Sequence, residues 1–304
     1  MKTLGIMIKR NIKLFFKDKG MFFTSLITPL ILLVLYVSFL GNVYRDSFIM
    51  NMPDILLKNE EFVKVIDGLV ASQLASSLLA VCCITVAFCS NMLMVQDKVN
   101  GAYQDLLIAP AKKTTLSLAY FISTFISTLI ICMIAGGCCL GYMATVGWYM
   151  SVSDVFLLLL DIIILVTFGT VLSSIIGYFL TSQGQISAVG TIISSCYGFI
   201  CGAYMPISSF SEGLQKVISF LPGTYGTALL RNHAMQGAFK ELERLGLPKE
   251  SIIDFKNGVD CNIYFFDKQV PVSTMFVILI GTVIALIMIY VLINLIKTKK
   301  SEKA

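Results

Sequence analysis

Hydrophobic positions in this chain fall in long uninterrupted blocks, and charged positions gather in the gaps between them. Residues 114–153 contain no charge, and beyond Asp154 and Asp161 a second uncharged stretch runs to residue 211. A folded surface in water has to be covered by solvated groups, so these blocks exclude a soluble domain. A helix of about 20 apolar residues crosses a bilayer. Six such spans are predicted: 21–40, 69–95, 116–146, 155–180, a fifth from the polar turn 181–185 to about 204, and 272–296. The third stops before Gly147-Trp148-Tyr149, whose aromatic pair suits the bilayer interface. The fold class is all-α, a polytopic membrane protein forming a single transmembrane domain over 1–304.

The first 19 residues carry a different pattern. On a helical wheel Leu4, Met7, Ile8, Ile12 and Phe15 share one face, while Lys2, Lys9, Arg10, Lys13 and Lys17 take the other. That spacing predicts an amphipathic interfacial helix over 1–19, apolar face in lipid and lysines toward phosphates. It serves either as a basic topogenic start or as a surface that also meets a cytoplasmic partner. The first apolar block is too long for a signal-peptide core, and no small-x-small site precedes Arg45, so the first span is expected to be retained.

Composition and charge add orientation. Hydrophobic residues make up 57% and charged residues 13%, with a mean hydropathy of +0.84. The net charge of +5 is not a nucleic-acid signature, because the basic residues cluster beside the spans. An even number of spans puts both termini on one side. The lysine-rich start, the tail with Lys297, Lys299, Lys300 and Lys303, and the connection with Lys98, Lys112 and Lys113 place that side in the cytoplasm. The outward loops are then 41–68 and 206–271, and in the second seven basic residues are balanced by seven acids. The expected location is the plasma membrane of a bacterium.

Eight of the nine cysteines fall inside predicted spans, which leaves no disulfide framework and no Cys/His metal spacing. Asp161 is the one ionisable residue within a predicted span, where a charge costs about 2.5–3.5 kcal/mol at a helix centre. It has either a structural role with Ser, Thr or backbone partners or a role in substrate handling or gating. His233 reads as a surface residue of the outer loop. Small residues recur at every fourth position: Gly169, Ser173 and Gly177 in the fourth span, Gly190, Ser194, Gly198 and Gly202 in the fifth. Such ridges let helices approach closely, within the chain, at a subunit interface or along a substrate path.

The connection 96–115 holds Gln96, Asp97, Lys98, Gly101, Tyr103, Asp105, Leu106 and Pro110. Mixed charges followed by Leu106, Leu107 and Ile108 suit a short surface helix that docks on another protein; by composition alone a solvated connector fits equally well. The order Asp97-Lys98, Gly101-Ala102, Asp105-Leu106, Ala109-Pro110 resembles the coupling segment of type-two ABC export permeases. Ala102 stands where Thr is usual there, and Gln104 or Asp105 where Glu is common. A second resemblance follows the fifth span, in Gly202-Ala203-Tyr204-Met205-Pro206, then Leu221-Pro222-Gly223-Thr224-Tyr225, then Arg231. In that family these residues belong to short re-entrant helices at the outer leaflet. Leu214, Val217, Ile218 and Leu221 follow helical spacing and predict one of them. With the basic start and the six spans, the resemblance covers essentially the whole chain.

The resemblance implies the transmembrane subunit of an ATP-driven exporter of an amphipathic drug, lipid or peptide-like substrate. Its partners are a cytoplasmic ABC ATPase, a second permease copy or close paralogue, and the lipid bilayer. No Gly-x-x-x-x-Gly-Lys-Ser/Thr phosphate loop occurs in the sequence. ATP and magnesium therefore belong to the partner, and this chain is expected to have no catalytic residues, metal or cofactor of its own. The resemblance makes Gln96, Asp97, Lys98, Gly101, Tyr103, Asp105, Leu106 and Pro110 the expected ATPase-coupling set, and Pro206, Pro222, Tyr225 and Arg231 the expected outer re-entrant set. Two other classes stay open. One is an ion-coupled secondary transporter, which uses intramembrane carboxylates as relays but finds here Asp161 without a basic partner in a span. The other is a non-transporting membrane scaffold.

Overall fold

The computed structural model describes residues 2–50, 58–108, 112–266 and 268–301, and it is 86% helical. The chain is all-α. Helix α1 (Lys2–Lys17) ends at Asp18, whose side chain caps α2 (Lys19–Leu35) by accepting from the Met21 N–H at 3.0 Å. A π-helical turn, Tyr36–Leu40, leads into α3 (Gly41–Met50). Then come α4 (Glu60–Val99), the short α5 (Ala102–Ile108) and α6 (Lys113–Val146). Helices α7 (Val152–Phe179) and α8 (Gln183–Ile200) each open with a capping box, Ser151 with Asp154 and Ser182 with Gln185. A 3-10 turn (Ile207–Ser209) precedes α9 (Glu212–Ile218), α10 (Pro222–Arg244) and α11 (Lys249–Gly258). Strands β1 (Ile263–Phe265) and β2 (Lys268–Val270) pair antiparallel with Ile263 opposite Val270, and α12 (Val272–Ser301) follows.

Among the described residues, five segments are long and apolar enough to cross a membrane: Lys19–Met50, Glu60–Val99, Lys113–Val146, Val152–Phe179 and Val272–Ile296. The expected fifth span falls on α8, which is shorter, at 18 residues, opens on Gln183 and Gln185, and is not one of these five. At 1.5 Å per residue it covers about 27 Å, near the lower limit for a span.

Helix α4 is the axis of the bundle. Between Leu69 and Val95 nearly every side chain is buried, because α2, α6, α7, α8 and α10 all pack on it. Small residues make this possible. A Cβ at Gly169 of α7 would lie 2.9 Å from the Cys83 carbonyl oxygen, and one at Gly177 would lie 2.5 Å from Asn91 Nδ2. Between them Asn91 donates to the Ser173 carbonyl at 2.6 Å. The ridge of the fourth span thus packs inside the chain, on α4. By contrast α12 exposes Val277, Ile284, Met288 and Leu292, the surface a lipid-facing helix needs.

Helix α1 and the later part of α12 share one end of the bundle. Helix α1 lies against α6, and Tyr290 of α12 donates to the Ser117 carbonyl near the start of α6 at 3.1 Å. At the opposite end Arg244 closes α10 onto Glu61 of α4 at 3.1 Å. The apolar face predicted for α1 is seen, with Met7 and Phe15 buried. It meets α6, however, where lipid was expected. The segment 206–271 also differs from expectation. Alongside the short α9 and α11 it holds the 23-residue α10, most of whose residues are buried against α4, α7 and α12. A sequence average over its mixed residues conceals that burial.

Candidate functional site

Helix α4 runs on to Val99, so its last turns carry charges beyond the apolar block. Asp97 is buried. Arg10 donates to both its oxygens, at 2.7 and 3.3 Å, and Tyr120 of α6 donates to Oδ2 at 2.5 Å. The carboxylate thus ties α1 and α6 to α4, and its hydrogen bond raises the Arg10 pKa further above its ordinary value. Lys98, the next residue, turns to α7. Its ammonium donates to the carbonyls of Gly177 (2.9 Å), Tyr178 (3.0 Å) and Leu180 (3.4 Å). These are the oxygens that a helix end leaves without intrahelical partners, and a cation there also suits the dipole.

Two corrections follow. Asp97 and Lys98 were expected to face a partner, and both face inward. Arg10, placed on the solvated face of α1, turns onto Asp97. Charge was counted correctly, but tertiary ion pairing overrode the helical wheel.

The chain then turns at Gly101, whose φ of +83° favours glycine, into α5. No residue of α5 is buried. Tyr103 and Leu106 lean inward, with Tyr103 stacked on Tyr120 at 6.3 Å, while Gln104, Asp105 and Ile108 are exposed. Ile108 is 83% exposed. Pro110 lies outside the described residues.

Gln96 faces a groove of about 660 Å³ between α2 and α8, floored by α4. Thr24, Thr28, Ser187, Thr191, Gly190 and Ser194 line it. The polar face of α8 is therefore turned to an open groove, which a packing ridge alone does not require.

The family described as ABC-2 type transporter matches residues 2–234. The chain belongs to that family. No curated protein and no solved structure gives a match. The match spans α1 to Ala234 in α10, so the inward-facing Asp97 and Lys98, α5 and the groove all lie within it. The protein is thus a multi-pass membrane component of an ABC transporter, and the family implies an ABC ATPase partner.

Of the residues Pro206, Pro222, Tyr225 and Arg231, Arg231 makes the longest-range contacts. Arg231 is fully buried; it donates to Asp260 Oδ2 at 3.3 Å, to Ser77 Oγ at 3.4 Å and to the Gly202 carbonyl. Gly202 has φ +71°, and a Cβ there would lie 2.7 Å from Asp260 Oδ2. Asp260 also accepts from the Ile207 N–H at 2.9 Å, just after Pro206, which caps the 3-10 turn. Burial raises the Asp260 carboxyl to about 6, with Arg231 pulling the other way. Pro222 opens α10 at a position that has no use for an N–H, and Tyr225 donates to the Ser219 carbonyl at 2.6 Å. Gly198 is covered by Tyr204, so Gly198 and Gly202 shape the turn after α8, while Gly190 and Ser194 face the groove.

Sequence reasoning missed two partners. Asp260 looked like any acid of a solvated loop. His233 was read as surface and is buried, its Nδ1 2.5 Å from Asp161 Oδ2. Asp161 therefore pairs with a histidine from α10, not with Ser, Thr or backbone. The available signal was that one buried acid and the only histidine needed each other.

Proposed function

We propose that this chain is the non-catalytic permease subunit of an ATP-driven exporter, with α5 as the docking point of a separate cytoplasmic ATPase that holds ATP and magnesium. The observation that carries the reading is an exposed helix hung from α4 directly beyond Asp97 and Lys98. A push on α5 reaches α1 and α6 through Asp97 and α7 through Lys98, because these contacts are short and charge-assisted. The groove between α2 and α8, lined by hydroxyls and aliphatic groups, fits an amphipathic drug, lipid or peptide-like substrate. A second copy or close paralogue facing it completes a path between subunits. On this reading both termini are cytoplasmic, in a bacterial plasma membrane.

The test is the pair Asp105→Lys and Ile108→Asp, on exposed side chains that hold nothing in the fold. Like charge across an interface costs several kcal/mol. We expect normal amounts of membrane-inserted chain, with ATPase co-purification and export both lost. Retention of both would remove α5 as the docking point.

A buried Asp161–His233 pair answers one objection to an ion-coupled carrier, since the acid has a basic partner after all. Neither residue lines the groove. Export from proteoliposomes driven by ATP with the proton gradient collapsed separates the two readings: the exporter continues and the carrier stops.

A further inference from the structure

At the end of the bundle away from the termini lies a second cavity, about 610 Å³, between α3, the turn 204–209 and α11. That volume is within the usual range for small-molecule sites. Its wall is aromatic: Tyr44, Phe48 and Phe255 are buried, with Phe48 and Phe255 edge to face at 5.1 Å, and Tyr204 closes one side. Phe39, from the π-helical turn, and Val43 complete it and are exposed on the flank where α2 and α3 carry their apolar surface. Three hydroxyls, Ser47, Ser209 and Ser251, sit among these rings.

Among the described residues Asp254 is the one charged residue that lines the cavity, and it takes part in no hydrogen bond or ion pair with them. Every basic side chain of α3 and α11 is engaged elsewhere. Arg45 binds Asp67 at 2.7 Å, Lys249 binds Glu243 at 3.2 Å, and Lys256 lies over the Phe239 ring at 5.3 Å. Aromatic faces attract cations, more strongly where water is excluded.

We propose that this cavity is a binding site for an amphipathic organic cation, its apolar groups against Tyr44, Phe48 and Phe255 and its charge toward Asp254. The site is distinct from the groove between α2 and α8. Its outward placement rests on the orientation given above; its ligand class does not.

The experiment uses the full chain in zwitterionic nanodiscs, with tetraphenylphosphonium and tetraphenylborate as probes of nearly equal shape and opposite charge. Binding is measured against empty discs. The expected result is saturable binding of the cation, one per chain, and only bilayer uptake of the anion. Asp254→Asn weakens cation binding about fivefold, the upper range for an exposed charge pair. Ser251→Trp, which fills the cavity without removing a charge, weakens it as well. Cation uptake equal to that of empty discs overturns the proposal. So does equal binding of the anion, or an affinity that neither variant changes. Since no ATPase or transport enters the readout, failure of the exporter reading leaves this result standing, and the converse holds too.

Discussion

Arg231 and Asp260 are each among the most buried charged residues in the chain, and each is tolerable only because of the other. Removing one partner strands the other. We expect Arg231→Met to destabilise the protein by about 3–5 kcal/mol, and the double variant with Asp260→Asn to lose less than the sum, as a two-by-two cycle of unfolding midpoints checks. Asp260 also makes stability depend on pH. Its carboxyl, raised mainly by burial from 3.8 to about 6, holds its proton to higher pH than in the unfolded chain. The stabilisation is complete below the ordinary carboxylate range and is lost as the pH rises through about 6. Wild type should therefore lose stability from pH 4 to pH 7 relative to Asp260→Asn. A constant difference across that interval would contradict the burial argument. Neither partner could be chosen from the sequence: the two lie 29 positions apart, and seven acids share the segment.

Among the elements, α1 and α4 show how far periodicity reaches. The spacing of Leu4, Met7, Ile8, Ile12 and Phe15 was enough to place the inner face of α1. It could not say that the face meets α6, since apolar side chains suit lipid and protein alike. The Arg10–Asp97–Tyr120 contact decides it. Asp97→Ala removes the acceptor shared by two donors, and we expect a loss of about 1.5–3 kcal/mol. The local signature is faster hydrogen exchange in α1 with α10 unaffected. The small-residue ridge of α7 makes a contrasting case. Gly177→Leu has to displace Asn91 and should cost about 1–3 kcal/mol, read as a lower melting temperature. Gly141→Leu on α6, where nothing lies within 4 Å of the added Cβ, should leave the melting temperature unchanged.

For the molecule as a whole, the orientation is open to direct measurement. In a background without native cysteines, Lys249→Cys and Lys256→Cys should label from outside intact cells, and Gln104→Cys and Lys112→Cys only after the membrane is opened. The reverse pattern would put α5 on the wrong side for an ATPase. The same labels test the shape of 206–271, because Ala234→Cys on buried α10 should resist labelling from either side.

The sequence by itself determined the membrane class, the helix-rich fold and the place of the five long spans, and left 102–108 open between a short helix and a solvated connector. These follow from local quantities: apolar length, helical spacing and charge beside the spans. Only the tertiary structure decided which charges are paired and which are offered. Asp97, Lys98, Asp161, Arg231, His233 and Asp260 all carry groups whose cost of burial depends on side-chain partners 29 to 87 positions away, or on another helix's carbonyls. No window along the chain contains both members of such a pair. The reading of α10 failed for the same reason. Its mean polarity suits water, but it is buried because Arg231 and His233 find their partners inside the bundle.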